Sequence, residues 1–129
     1  MGTFKQLEDI IAWQKARTFC NELKEDIKHI ELAKDYDLKN QLRASSGSVM
    51  DNIAEGFGRM GNAEFKNFLT IAHGSLMESL SQLYRTCDSL IITIERFEYL
   101  KGLINEISRL IRSLIQSLQT SELRGIKFK

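Results

Sequence analysis

Asn52-Ile53-Ala54-Glu55-Gly56-Phe57-Gly58-Arg59 lies at the centre of the least charged part of a charged chain. From Leu38 to Gly58 there are four charged residues, Lys39, Arg43, Asp51 and Glu55, against ten from Glu8 to Glu31. From Asn67 to Met77 there are none. A helix with one core face and one wet face carries charge on the wet one. The stretch from Leu38 to Leu83 is therefore expected to be covered on more than one side.

Around that octapeptide the period is helical, from about Leu38 to Phe57. Leu38, Leu42, Val49 and Ile53 share one face and form the core stripe. A second stripe, Gln41, Ser45, Ser48, Asn52, Glu55 and Arg59, steps by alternating fours and threes and is polar. A third, Ala44, Gly47, Ala54 and Gly58, is broken only by Asp51 and is built of small residues. Glycine in a helix interior costs about 1 kcal/mol against alanine, so Gly47 predicts a close-packed neighbour on that face. Gly56, Gly58 and Gly61 are expected to end the helix, since glycine takes the left-handed cap conformation at least cost. They also spell Gly-Phe-Gly-Arg-Met-Gly, but the dinucleotide fingerprint requires a preceding strand and here a helix precedes it.

Outward from this centre, Asn62 is expected to cap a third helix over Ala63–Ser89, with Phe65, Phe68, Leu69, Ala72, Leu76, Leu80, Leu83 and Cys87 as its seam. A first helix is expected from near Phe4–Leu7 to Ile30, on Leu7, Ile10, Ile11, Cys20, Leu23, Ile27 and Ile30. Asp35 or Asp37 caps the second helix and Thr93 the fourth. In the fourth, Phe97, Leu100, Ile104, Ile107, Ile111, Leu114 and Leu118 repeat at three-four spacing, and Ser121–Lys129 reads as a mobile basic tail. Four amphipathic helices, short connections and no strand signal give an all-α fold, an antiparallel up-down-up-down four-helix bundle spanning residues 1–129 as one domain.

Composition narrows the function classes. The chain has 129 residues, no proline and a net charge of +1, too small to imply nucleic acid by itself. Residues 1–37 carry six basic and eight acidic groups, and residues 92–129 seven basic and four acidic. No apolar run approaches the ~18–20 residues of a membrane span, and the N-terminus lacks a secretory pattern, so a cytoplasmic protein with no membrane partner is expected. Cys20 and Cys87 belong to no metal or redox spacing and are read as buried thiols in a reducing compartment.

Catalytic constellations are not evident. His29 and His73 stand on different helices, no Glu-x-x-His pair exists to hold a di-iron centre, and no cofactor or metal is expected. His73 reads as a packed or hydrogen-bonded residue. Serines 45, 46 and 48 have no histidine nearby in sequence. Glu55 and Arg59, four apart, read first as a helix salt bridge. The chain is expected not to be an enzyme, and Gln41, Ser48, Asn52, Glu55 and Arg59 are expected to form a structural polar network.

Asn52–Arg59, preceded by Leu38, Gln41, Leu42, Arg43 and Ala44 and followed by Glu64-Phe65, Phe68-Leu69, Ile71-Ala72, Gly74-Ser75-Leu76 and Glu78, resembles the four-helix-bundle family named for the 23S rRNA intervening-sequence protein. Trp13, Lys15-Ala16, Tyr36 and Leu38 also fit. The family often has a proline before the octapeptide block and Phe-Pro in the first connection, and this chain has neither. The resemblance implies a small bacterial bundle that assembles into a homopentamer and has no assigned biochemical function. It also relates the chain to the accessory protein of diversity-generating retroelements, which binds nucleic acid and a reverse transcriptase and is strongly basic.

Two functions follow as expectations. The first is a non-enzymatic homo-oligomeric scaffold or interaction protein, with Ala44, Gly47, Ala54, Gly58 and Gly74 at the contact between copies; the number five comes from the resemblance alone. The alternative is an RNA- or DNA-binding accessory protein, with RNA, DNA or a protein such as a reverse transcriptase as its partner. It would use the basic end of helix 4, Arg109, Arg112, Arg124, Lys127 and Lys129, repeated around the oligomer.

Overall fold

Asp9 turns its carboxylate back onto the N–H groups of Lys5 (2.9 Å) and Gln6 (3.2 Å), and a 3-10 turn, Leu7–Asp9, forms around it. Those two bonds, Lys5 first, hold Asp9 below the usual carboxylate range. Ile10 is extended, so the first long helix starts at Ile11, later than the periodicity suggests. The structure, a computed structural model, describes residues 4–127, with side chains as far as residue 120. Its elements are α1 (Ile11–Leu32), α2 (Tyr36–Gly58), α3 (Asn62–Asp88) and α4 (Ile94–Lys127). Phe128 and Lys129 lie outside the described residues, as do the side chains of 121–127. The α4 backbone continues helically through positions that sequence assigns to a tail.

Leu23 and Ile30 of α1, Leu42 and Ile53 of α2, Leu69, Leu76 and Leu83 of α3, and Leu100, Ile104 and Leu118 of α4 are all fully buried. They make one core along the bundle axis. Packing follows the ring α1–α2–α3–α4–α1, as short connections between antiparallel neighbours require.

The connections correct one expectation. No described glycine has positive φ; the left-handed residue in each turn is Lys34 (φ 63), Met60 (φ 66) or Leu90 (φ 63). Two of the three turns are Schellman motifs. After α1, Asp35 N–H reaches Ile30 O (3.3 Å) and Lys34 N–H reaches Glu31 O (2.9 Å). After α3, Ile91 N–H reaches Thr86 O (3.1 Å) and Leu90 N–H reaches Cys87 O (2.9 Å). These paired bonds offset the left-handed cost of about 1–2 kcal/mol that a β-carbon brings.

Gly56 and Gly58 instead stay inside α2, and Gly61, extended, is the N-cap of α3 in place of Asn62. Gly56 is required by packing: a β-carbon there would lie 2.7 Å from Phe68 Cβ and 3.0 Å from Phe65 Cδ1. The expected caps at Asp35, which accepts Leu38 N–H at 3.1 Å, and at Thr93, which accepts Arg96 N–H at 3.0 Å, are present.

Candidate functional site

The polar stripe of α2 meets a matching stripe of α3. Asn52 Nδ2 donates to Ser48 Oγ (2.8 Å), which lies 2.9 Å from Ser75 Oγ. One turn away Ser45 Oγ lies 2.8 Å from Ser79 Oγ and 2.6 Å from Gln82 Oε1, and Ser79 also reaches Ser75 O at 3.1 Å. Ser45, Ser79 and Gln82 are buried. Serine is small enough to let the two backbones approach, and Gly56 continues that approach to the turn. A single hydroxyl proton per serine orders the bonds along the seam.

The expected polar network is therefore divided. Ser48 and Asn52 belong to this seam. Gln41, on the surface, accepts from Arg85 Nη1 at 2.9 Å. Glu55 and Arg59 form an exposed i,i+4 pair (2.8 Å), with Glu64 3.7 Å from Arg59 on its other side and the guanidinium 5.2 Å from the Phe68 ring. Sequence reasoning placed Ser45 on the stripe but outside the network, and it passed over Ser75, Ser79 and Gln82. Their three-four spacing on α3 is the signal that pairs them with α2.

The small-residue face points outward. Ala44 and Gly58 are exposed, Gly47 and Ala54 half-buried. A β-carbon at Gly47, Gly58 or Gly74 would meet nothing within 4 Å, so the close neighbour expected at Gly47 is not supplied by the described residues. On α3 the charge-free stretch is buried on its core side, at Leu69, Ala72 and Leu76, while Ile71 is 51% and Met77 37% exposed. Among the described residues this stretch is covered on the core side and not on its outward side.

Arg109 and Arg112 are exposed on α4. Neither is in a salt bridge among the described residues, unlike Arg59 and Arg96. Arg124 and Lys127 lie on the α4 backbone with side chains outside the described residues, and Lys129 lies outside altogether. His73, half-buried on α3, has Nε2 2.8 Å from Ser108 Oγ on α4. Burial, and then the neighbouring Arg112, push His73 below the usual histidine range.

Asp26 is another residue whose place sequence reasoning missed. It is buried on α1, at the three-residue step between Leu23 and Ile30, and is gripped by Arg96 of α4. A carboxylate on a core stripe is itself the signal that a cation must face it.

Among the described residues no group of three His, Cys, Asp or Glu is placed to hold a metal, and no helix is long and apolar enough to cross a membrane. Cys20 and Cys87 are free and half-buried, and Cys20 donates to Ser46 O at 3.3 Å. An open hollow of about 630 Å³ beside the α2–α3 turn is lined by Phe4, Phe57, Met60 and Phe65 with Lys5 as its one charged residue. That lining holds no acid–base pair.

Residues 8–113 match the family described as 23S rRNA-intervening sequence protein. Among solved structures, the chain is similar to a protein of unknown function from the S23 ribosomal protein family of Bacteroides thetaiotaomicron. The two are 26% identical with a TM-score of 0.76, over 81% of this chain and 97% of that one. No curated protein matches.

Proposed function

Because the chain belongs to the 23S rRNA-intervening sequence protein family, we propose that it is a non-enzymatic, homo-oligomeric bundle of scaffold or interaction type. The observation that carries this reading is the outward surface of α2 and α3. It combines a charge-free stretch, a half-exposed Ile71 and glycines with open space above them. A second copy of the chain suits such a face, because removing Ile71 and Met77 from water stabilises association and the Asn67–Met77 stretch brings no charge to be desolvated. The resemblance sets the expected number at five, with one heterologous contact repeated around a closed ring. Sedimentation equilibrium tests it: the wild type should be oligomeric at micromolar concentration. Gly74→Arg and Ala54→Arg should keep their helical circular dichroism and dissociate. A wild-type monomer overturns the reading.

Nucleic-acid binding is the second reading, favoured by the two exposed α4 arginines without carboxylate partners. Few charges per subunit bind phosphate weakly, but copies around a ring gain by effective concentration. Retention on RNA or DNA at about 50 mM salt, lost as salt rises, is the expected behaviour. Deletion of Leu123–Lys129 should weaken it, and no retention by the intact oligomer removes this reading.

A further inference from the structure

The α3–α4 groove brings together three groups that the seam and the outward face do not use. His73 Nε2 and Ser108 Oγ are 2.8 Å apart, and Ser108 is buried. Arg112, one turn along α4, spends only its Nε within the chain, on Ser108 O at 3.4 Å. Its two terminal nitrogens have no partner among the described residues. A neutral imidazole and a serine hydroxyl own one proton each and share one bond. Whichever tautomer His73 adopts, one donor of the pair is left over, either the imidazole Nδ1–H or the Ser108 O–H.

Among the described residues the one charge that acts on His73 is positive. Arg112 is the charge that acts on His73, and Arg109 stands one turn away on α4. Lys66 lies two turns back on α3, with interactions of its own. Glu106 faces the opposite neighbour, 3.0 Å from Lys15 of α1. An unspent donor and an unpaired guanidinium beside a histidine, with no carboxylate among them, form a receptor for an oxyanion. From this geometry we infer that His73, Ser108 and Arg112 bind a phosphate group, as a free anion or as part of an RNA backbone.

Phosphate between the two basic groups turns their repulsion into shared attraction, so binding and protonation of His73 strengthen one another. The chain has two histidines, and His29, exposed on α1, serves as an internal control. Long-range proton–nitrogen NMR of the full chain at constant ionic strength should show inorganic phosphate raising the His73 midpoint by roughly 0.5–1 unit. His29 should not move. In Arg112→Gln, loss of the like charge should raise the phosphate-free His73 midpoint, which also reports that the groove is folded, and the phosphate response should vanish. Ser108→Ala should weaken the response.

The same shift with oligouridylate at much lower phosphate concentration assigns the site to an RNA backbone. A shift with inorganic phosphate alone assigns it to the free anion, and absence of RNA retention then removes the second reading while the site stands. An unmoved His73, an equal shift of His29, or a response that survives Arg112→Gln overturns the site, even where RNA is retained.

Discussion

Arg96 grips Asp26 with both arms of its guanidinium, Nε to Oδ1 at 3.0 Å and Nη2 to Oδ2 at 2.8 Å, across the α1–α4 contact. The same side chain reaches Glu22 O at 2.9 Å and Glu22 Oε2 at 3.2 Å. Asp26's side chain is 3% exposed and Arg96's 30%, so the carboxylate is the buried partner. Arg96→Ala leaves that charge without its cation and should cost about 3 kcal/mol, at the lower end for a broken buried pair because water reaches the arginine side. Asp26→Ala leaves a partly solvated arginine and should cost less. Urea denaturation of the two variants checks the order.

Gly56 and Gly74 should respond oppositely to alanine. At Gly56 the new β-carbon meets Phe68 Cβ, an atom fixed to the α3 backbone that cannot swing away. Gly56→Ala should therefore destabilise by about 1–3 kcal/mol, as overpacked sites do. Gly74 has open space, and Gly74→Ala should stabilise the helix by up to about 1 kcal/mol. Thermal melts give the first comparison. If copies meet on this face, sedimentation should show Gly74→Ala loosening the assembly while the fold itself gains.

Glu55 and Arg59 are an exposed pair, both side chains about half accessible. Glu55→Ala should cost less than about 1 kcal/mol. A thermal double-mutant cycle with Arg59→Ala should show near-additive losses. A large coupling would place the pair in a buried setting that this geometry does not give it.

Why the helices were legible and the turns were not follows from where each is determined. Leu42, Val49 and Ile53 recur with the helical period, and that period alone places them in the core. Lys34, Met60 and Leu90 sit left-handed because backbone bonds across the turn hold them there, and their side chains carry no trace of it. Gly56 invites a cap reading, yet it answers to Phe65 and Phe68, residues of the next helix. Ser48 and Asn52 could be read as a polar stripe of α2. Their partners could not, because the register of α2 on α3 is a property of the packed pair. Likewise nothing in the local sequence around His73 brings Ser108 beside it.

Ser45 holds the buried end of the seam. Its hydroxyl is the hydrogen-bond partner of Gln82 Oε1 at 2.6 Å, and Ser79 Oγ is 2.8 Å away. Ser45→Ala strands the amide oxygen out of water and should cost roughly 1–3 kcal/mol. Adding Gln82→Leu removes the stranded group, so the double variant should be more stable than the sum of the single losses. Additive losses in urea would mean that water already serves these groups.

His73 gives the fold a pH dependence whose sign is set. Burial first, and Arg112 second, lower its affinity for a proton in the folded chain. The unfolded chain therefore binds the proton more readily, and stability rises with pH wherever the two states differ. The histidine contribution should be complete above the unfolded value of about 6.5, fall as pH drops below it, and level off once folded His73 is itself protonated. Its size is modest because the ring is only half-buried. His73→Gln should flatten the urea midpoint between about pH 7.5 and 5 relative to wild type. Arg112→Gln should leave the start of the fall in place, end it at a higher pH and shrink it, since removing the like charge brings the folded value toward the unfolded one. Phosphate should do the same in the wild type, and a wild-type curve as flat as that of His73→Gln would contradict the depressed histidine.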